Sequence, residues 1–322
     1  MAVLLWMSVS TLAALVLTRL YIRFTSGRYR VWADLTGKTF VITGPTSGIG
    51  RETVRELHRH GGNVVLLCRS VSKAEELKAE LELQSGGSVQ IVECNLVSLQ
   101  GVRDAATKVL TICPKVDVLI NNAGQLGERG NTAKRTEEGL EQTMAANYFG
   151  HYLLTRLLLD RIRKSAPARI INVSSLMHGF ARRFSADNLN FDVGQYTPSE
   201  AYSCSKLAQI LFTRHLAYQL KGTGVTVNAL HPGTIATNIF KDFLPVPRFL
   251  ASLIMSIFAQ IAKTPEEGAQ TTLFLAVSRS VEHVTGEHFA DCAPSAPTLS
   301  ALDDKLAEEV WERSAELTGL QA

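Results

Sequence analysis

Two hydrophobic rhythms take turns along the chain. Apolar runs of four to six residues fall at 38–43 (KTFVIT), 63–68 (NVVLLC), 89–93, 116–120, 169–173, 225–230 and 287–290. Longer stretches with helical spacing separate them, among them 48–60 and 72–84. Runs apolar at consecutive positions fit strands buried on both faces. Strands and helices in alternation predict an α/β fold, a Rossmann-type doubly wound parallel sheet of about seven strands. Ser72 and Glu75 have capping-box spacing and predict a helix start there.

Two stretches break this rhythm. Residues 2–18 carry no charge, and Arg19, Arg23, Arg28 and Arg30 follow. This is the short limit of a membrane-spanning helix, about 17–25 residues. Leu20, Tyr21, Ile22 and Phe24 would lengthen it, with Arg19 and Arg23 snorkelling to the headgroups. Positive charge after the run argues against a cleaved signal peptide and puts the rest of the chain on the cytosolic side. A buried or disordered N-terminal helix is the alternative. The second stretch, 249–262 (FLASLIMSIFAQIA), follows Pro245 and Pro247 and is too short to span a bilayer. It reads as a membrane-surface segment, or equally as a pocket cover or dimer contact.

Composition narrows the function classes. With 46% hydrophobic and 20% charged residues the chain can build a large core. A net charge of +3 is too small and dispersed for a nucleic-acid partner. The five cysteines (Cys68, Cys94, Cys113, Cys204, Cys292) form no CxxC pair, which suits reduced thiols rather than a disulfide framework or zinc. His58, His60, His215, His283 and His288 show no metal-ligand spacing, and no metal is expected.

The first strand leads through Thr43-Gly44-Pro45-Thr46-Ser47-Gly48-Ile49-Gly50 into a helix. Glycines at 44, 48 and 50 allow positive φ and close approach of a phosphate, and the helix N-terminus offers it free N–H groups. About 20 residues further on, where an acid would hold a ribose 2′-hydroxyl, the chain has Leu67-Cys68-Arg69-Ser70. Arg69 favours the 2′-phosphate of NADP(H) over NAD(H), unless it is simply a solvated loop charge. Tyr202 and Lys206 stand at i and i+4, on one helix face. A neighbouring ammonium should lower the phenol's pKa and fit Tyr202 for proton transfer. Ser174-Ser175 ends the fifth strand, where such a sheet binds its ligands. His178, just beyond, lines the pocket or is a loop histidine with local hydrogen bonds.

In order along the chain stand TGPTSGIG (43–50), NNAG (121–124), Asn147-Tyr148-Phe149-Gly150-His151, NVSS (172–175), YSCSK (202–206) and HPG (231–233). Over 37–292 the chain resembles the short-chain dehydrogenase/reductase family. The resemblance implies a catalytic tetrad. In it Ser175 orients the substrate oxygen, Tyr202 is the acid–base residue, Lys206 also holds the nicotinamide ribose, and Asn147 keeps a water in the proton relay. It implies cofactor contacts from Gly44, Ser47, Gly48, Ile49, Gly50, Arg69, Asn95, Leu96, Asn122, Ala123, Gly124, Tyr202, Lys206, Pro232, Gly233 and Thr237. Pro45 and Asn95 depart from the family's usual residues and touch cofactor affinity rather than the tetrad.

APARIINVSSLMHG (166–179), LFTRHLA (211–217), GVTVNALHPGT (224–234) and KTPEEGAQTT (263–272) look like the membrane-bound retinol dehydrogenase branch. The N-terminal anchor, the Trp311 region and the 27 positions from Ser175 to Tyr202 agree with it. That branch implies NADP(H), a small lipophilic substrate such as retinal or retinol, and an endoplasmic-reticulum membrane with the catalytic domain facing the cytosol. The expected organisation is an anchor at 1–24, a linker at 25–36, an NAD(P)-binding catalytic domain at 37–300 and a helical tail at 301–322. Steroid, polyprenyl or lipid-derived carbonyls are alternative substrates. A non-catalytic NADP-binding scaffold is the alternative outside enzymes, and the GxxxGxG turn argues against an epimerase.

Overall fold

A computed structural model describes residues 17–31, 33–127, 130–235 and 262–321. The apolar runs form one sheet: β1 (Thr39–Thr43), β2 (Asn63–Cys68), β3 (Val89–Glu93), β4 (Val118–Asn121), β5 (Ala168–Val173), β6 (Val225–Leu230), β7 (His288–Ala290) and β8 (Ala293–Pro294). Their order is β3-β2-β1-β4-β5-β6-β7-β8, parallel throughout except for β8. This is the doubly wound arrangement. Successive residues of β1 face opposite layers, Phe40 and Ile42 one core cluster and Val41 the other, so the strands read as unbroken apolar runs.

One layer holds α1 (Gly48–Arg59), α2 (Val71–Glu82) and α6 (Pro265–Val277). The other holds α3 (Leu99–Ile112), α4 (142–164), α5 (Pro198–Gln219) and α7 (Asp304–Thr318). Helix α4 contains a widened π turn at Ala145–Phe149. Trp311 of α7 is buried against Tyr152 of α4 and Phe212 of α5, with ring centroids 5.2 and 5.9 Å away. Strand order reverses between β1 and β4, which opens a crevice at the carboxyl ends of the strands.

Two expectations are corrected. The sheet has eight strands, because a two-residue turn at Asp291 and Cys292, both at positive φ (49° and 59°), folds β8 back on β7. Two paired residues are too few to leave a hydrophobic signature. The Ser72–Glu75 capping box does not form: α2 begins one residue earlier, with Ser70 as N-cap. A capping box does form at α6, where Thr264 and Glu267 exchange bonds of 3.2 and 2.9 Å. Arg19 is engaged within the protein. It makes a two-pronged pair with Glu267, at 2.9 and 3.1 Å, and donates to the Ala262 carbonyl. Residue 19 is thereby tied to the foot of α6. No helix of the described residues is long and apolar enough to cross a membrane. Residues 1–16, most of the expected anchor, and 249–261 of the second apolar stretch lie outside the described residues.

Candidate active site

The glycine turn is built for close approach. Gly44 has φ +65°, and a Cβ there would lie 2.9 Å from the Cα of Ala123. Gly50 takes an ordinary φ, contrary to expectation; its need is steric, since a Cβ would come 2.1 Å from the Gly44 carbonyl oxygen. Gly48, at φ +55°, has nothing within 4 Å of its missing side chain and faces open space. Ser47 is the N-cap of α1, yet its side chain caps nothing, and the first turn carries no acid. Unspent N–H groups, an open glycine and the helix's partial positive charge are what a pyrophosphate needs. The residues therefore fit a dinucleotide.

Asn122 braces this turn, its Nδ2 donating to the carbonyls of Thr43 (2.9 Å) and Gly44 (3.2 Å). Ile49 lies against Gly268 of α6, and Leu96 packs on Gly150, just after the π turn of α4. Asn95 spends its amide oxygen on the Val97 N–H at 3.4 Å. Arg69 is exposed at the end of β2 and has no ion pair among the described residues. After β6, Gly233 has φ +86° and is overlain by Lys263, whose Nζ would lie 2.8 Å from a Cβ there. Pro232 is buried beside it. Thr237 lies outside the described residues.

Across the crevice, Thr197 caps α5 and Pro198 occupies its first turn. One turn in, Tyr202 and four residues later Lys206 are buried, 7% and 3% exposed. The Lys206 Nζ stands 5.6 Å from the Tyr202 ring centre and donates to the Val173 carbonyl at 2.9 Å. That carbonyl ends β5, so the lysine is aimed at the strand that leads to Ser175. Ser175 accepts from the Met177 N–H at 3.2 Å, and its hydroxyl lies near enough to the Tyr202 phenol to act on its titration. Gly124 completes the group: a Cβ there would lie 3.4 Å from the Lys206 Nζ and 3.8 Å from Asn147 Oδ1. Tyr202, Lys206, Ser175 and Asn147 are thus drawn together from α5, β5 and α4.

The electrostatics differ from the expectation at one point. Burial raises the Tyr202 pKa, offset in part by the Ser175 hydroxyl. The ammonium does not bring it down. Burial instead pushes Lys206 itself down, to about 8. Low surrounding polarity disfavours the charged form of both groups, so the phenol holds its proton.

Asn147 lies in the π turn, a distortion frequent at functional sites. Its side chain accepts from the Gln125 N–H (2.8 Å) and donates to the Gln125 carbonyl (2.8 Å) and to Ser205 Oγ (3.0 Å). Its carbonyl accepts from Gln209 Nε2 at 2.6 Å and from His151 Nδ1 at 3.0 Å. His151 is fully buried, its pKa pushed down to about 3, and its Nε2 meets Thr43 Oγ1 at 2.9 Å. The sequence reading missed Thr43, His151, Ser205 and Gln209 as a network joining the glycine turn to Asn147. Only the polarity of these residues inside apolar helices and at a strand end hinted at it.

This geometry agrees with comparisons to known proteins. A family model described as Enoyl-(Acyl carrier protein) reductase matches residues 44–291. Human retinol dehydrogenase 13 is 39% identical over 300 residues, 92% of this chain and 89% of its own length. Mouse retinol dehydrogenase 14 is 40% identical over 295 residues, 88% of this chain and 86% of that one. Among solved structures, a Mycobacterium paratuberculosis protein aligns with a TM-score of 0.70 at 30% identity, covering 89% of this chain and 96% of that one. A protein from Beutenbergia cavernae, described as an NAD(P)-dependent gluconate 5-dehydrogenase with bound NADP, aligns at 0.64 and 28%, covering 80% and 96%. With a glycine turn shaped for a dinucleotide facing a tyrosine, lysine and serine, and with relatives of this kind along nearly its whole length, the chain belongs to the short-chain dehydrogenase/reductase family, oxidoreductases that act on CH–OH groups with a nicotinamide cofactor.

Proposed function

We propose that the chain is a membrane-anchored, NADP(H)-dependent oxidoreductase that interconverts a lipophilic aldehyde or ketone and its alcohol, with retinal and retinol as the lead pair. The burial of Tyr202 beside Lys206, whose Nζ stands 5.6 Å from its ring and bonds the Val173 carbonyl two residues before Ser175, carries this reading. When bound, the nicotinamide gives or takes the hydride. Ser175 holds the substrate oxygen within reach of the phenol. Tyr202 gives its proton to that oxygen during reduction and takes one from the hydroxyl during oxidation. Lys206 supplies positive charge beside the phenol and a donor for the ribose. Asn147 braces the Gln125 segment and Ser205, and belongs to the relay that reprotonates Tyr202.

Arg69 supports NADP(H): it is an exposed guanidinium at the end of β2 without an ion pair among the described residues, and residues 67–70 contain no carboxylate. Gly44, Ser47, Gly48, Ile49, Gly50, Asn95, Leu96, Asn122, Ala123, Gly124, Pro232, Gly233 and Thr237 complete the proposed cofactor set. Exposed Leu176 and Phe180, immediately after Ser175, support a lipophilic substrate, as does the similarity to retinol dehydrogenases. Residues 1–24 would hold the enzyme in the membrane, in the endoplasmic reticulum with the catalytic domain on the cytosolic side. Removing them should move the protein from the membrane pellet to the supernatant with activity retained.

The test is a panel of carbonyls and alcohols run with NADPH, NADH and their oxidised forms. Retinal should be reduced at least about tenfold faster, per kcat/KM, with NADPH than with NADH. Steroid, polyprenyl or lipid-derived aldehydes preferred to retinal would reassign the substrate. No turnover with any of them, in wild type and Tyr202→Phe alike, would leave a cofactor-binding scaffold.

A further inference from the structure

Three histidines from neighbouring strand ends form a row behind Ser175, with His178 and His288 buried and His231 half-buried. His178 follows β5, His231 follows β6 and His288 opens β7. Ring centres of His178 and His288 are 5.4 Å apart, and those of His231 and His288 are 5.6 Å apart. Among the described residues no three such side chains could hold a metal ion. Their hydrogen bonds say what they do.

His178 is 5% exposed. Its Nδ1–H donates to the Ser175 carbonyl at 2.7 Å, and its Nε2 accepts from the Thr298 N–H at 3.2 Å. Both bonds exist only for the neutral ring with its proton on Nδ1. His288 donates from Nδ1 to the Ser295 carbonyl at 3.1 Å, so two rings pin the 295–298 segment behind the catalytic serine. A second proton on His178 would set an Nε2–H against the Thr298 N–H, two donors with no acceptor between them.

We propose that His178 is a positioning residue for Ser175: its neutral ring ties the turn carrying the serine to Thr298, and protonation of the ring breaks the tie. The inference rests on the proposed role of Ser175. Burial holds both His178 and His231 below the ordinary histidine range, and His288 at about 4. The charged groups facing the row are Asp291 and Lys263, paired with each other beside His231. From α5, Tyr202 lies beside Ser175, and Glu200 accepts from the Arg183 N–H at 2.8 Å. No cation of α5 faces His178.

The experiment measures kcat, cofactor KM and their pH profiles for wild type, His178→Ala and His178→Asn, with Tyr202→Phe in parallel. His178→Ala should lower kcat by about tenfold or more while cofactor KM changes less than about twofold. His178→Asn keeps a donor toward Ser175 and cannot gain a proton. It should recover to within about threefold of wild type and lose the acid-side fall in kcat expected of wild type below the ordinary histidine range. An unchanged kcat in His178→Ala overturns the proposal. So does an Asn variant as slow as the Ala variant while melting like wild type. If Tyr202→Phe also turns over normally, the site assignment itself falls; if only the His178 variants do, this inference alone falls.

Discussion

Burial acts on the two central side chains in ways that oppose each other functionally. It raises the Tyr202 phenol and so keeps the proton needed for reduction. It also pushes Lys206 down to about 8, so the ammonium proposed to assist catalysis is close to being lost in ordinary buffers. The sign follows directly. Lys206 is charged below about 8, so cofactor affinity of the free enzyme should fall as pH rises through that value; a fluorescence titration of NADPH against pH checks this. Stability runs the other way. A lysine whose folded pKa lies below its unfolded 10.5 costs stability at neutral pH, and the cost fades as pH rises from about 8 to 10.5. Lys206→Met should therefore abolish turnover at pH 7 without lowering the melting temperature. A variant that melts well below wild type would show that the bond to the Val173 carbonyl outweighs the desolvation. Arg69→Asp acts at the same scale: the NADPH/NADH preference should shift toward NADH by at least about tenfold. An unchanged ratio would assign the phosphate to another group.

Among the elements, the strand–turn–helix unit of β1 and α1 depends on two glycines that look alike in sequence and differ in kind. A Cβ at Gly50 would drive into the Gly44 carbonyl, whereas one at Gly48 meets nothing in the protein and only strains a left-handed φ. Gly50→Ala should cost several times more stability than Gly48→Ala, the latter about 1 kcal/mol. Urea unfolding with paired NADPH titrations would show it, and equal losses would contradict the turn geometry. Local signals of this kind were legible because they depend on neighbours in the chain. The seven runs, the glycine turn and the Tyr202–Lys206 spacing all belong to that class. The Ser72 capping box failed for the opposite reason: its spacing was right, but the helix started at Val71 and left Ser72 inside it.

In the molecule as a whole, the contacts that escaped the sequence are those between distant segments. Arg19 meets Glu267 across 248 positions, and Thr43 meets His151 across 108. No periodicity encodes either, because each exists only once the sheet has brought its ends together. Segment 301–322 shows the same limit. It reads as an appended helix, yet Ala307, Val310, Trp311 and Ala315 are buried in the same cluster as α4 and α5. Trp311→Ala should cost roughly 3–5 kcal/mol, measured by chemical denaturation. A loss under about 1 kcal/mol would mean that the helix is dispensable.

The central claim is that the Tyr202 hydroxyl moves the proton. The direct measurement is single-turnover reduction of retinal by NADPH in wild type and Tyr202→Phe, with NADPH binding followed in the same samples. The phenylalanine variant should bind NADPH within about threefold of wild type and react at least about 10²-fold more slowly. Equal rates at equal cofactor occupancy would contradict the account.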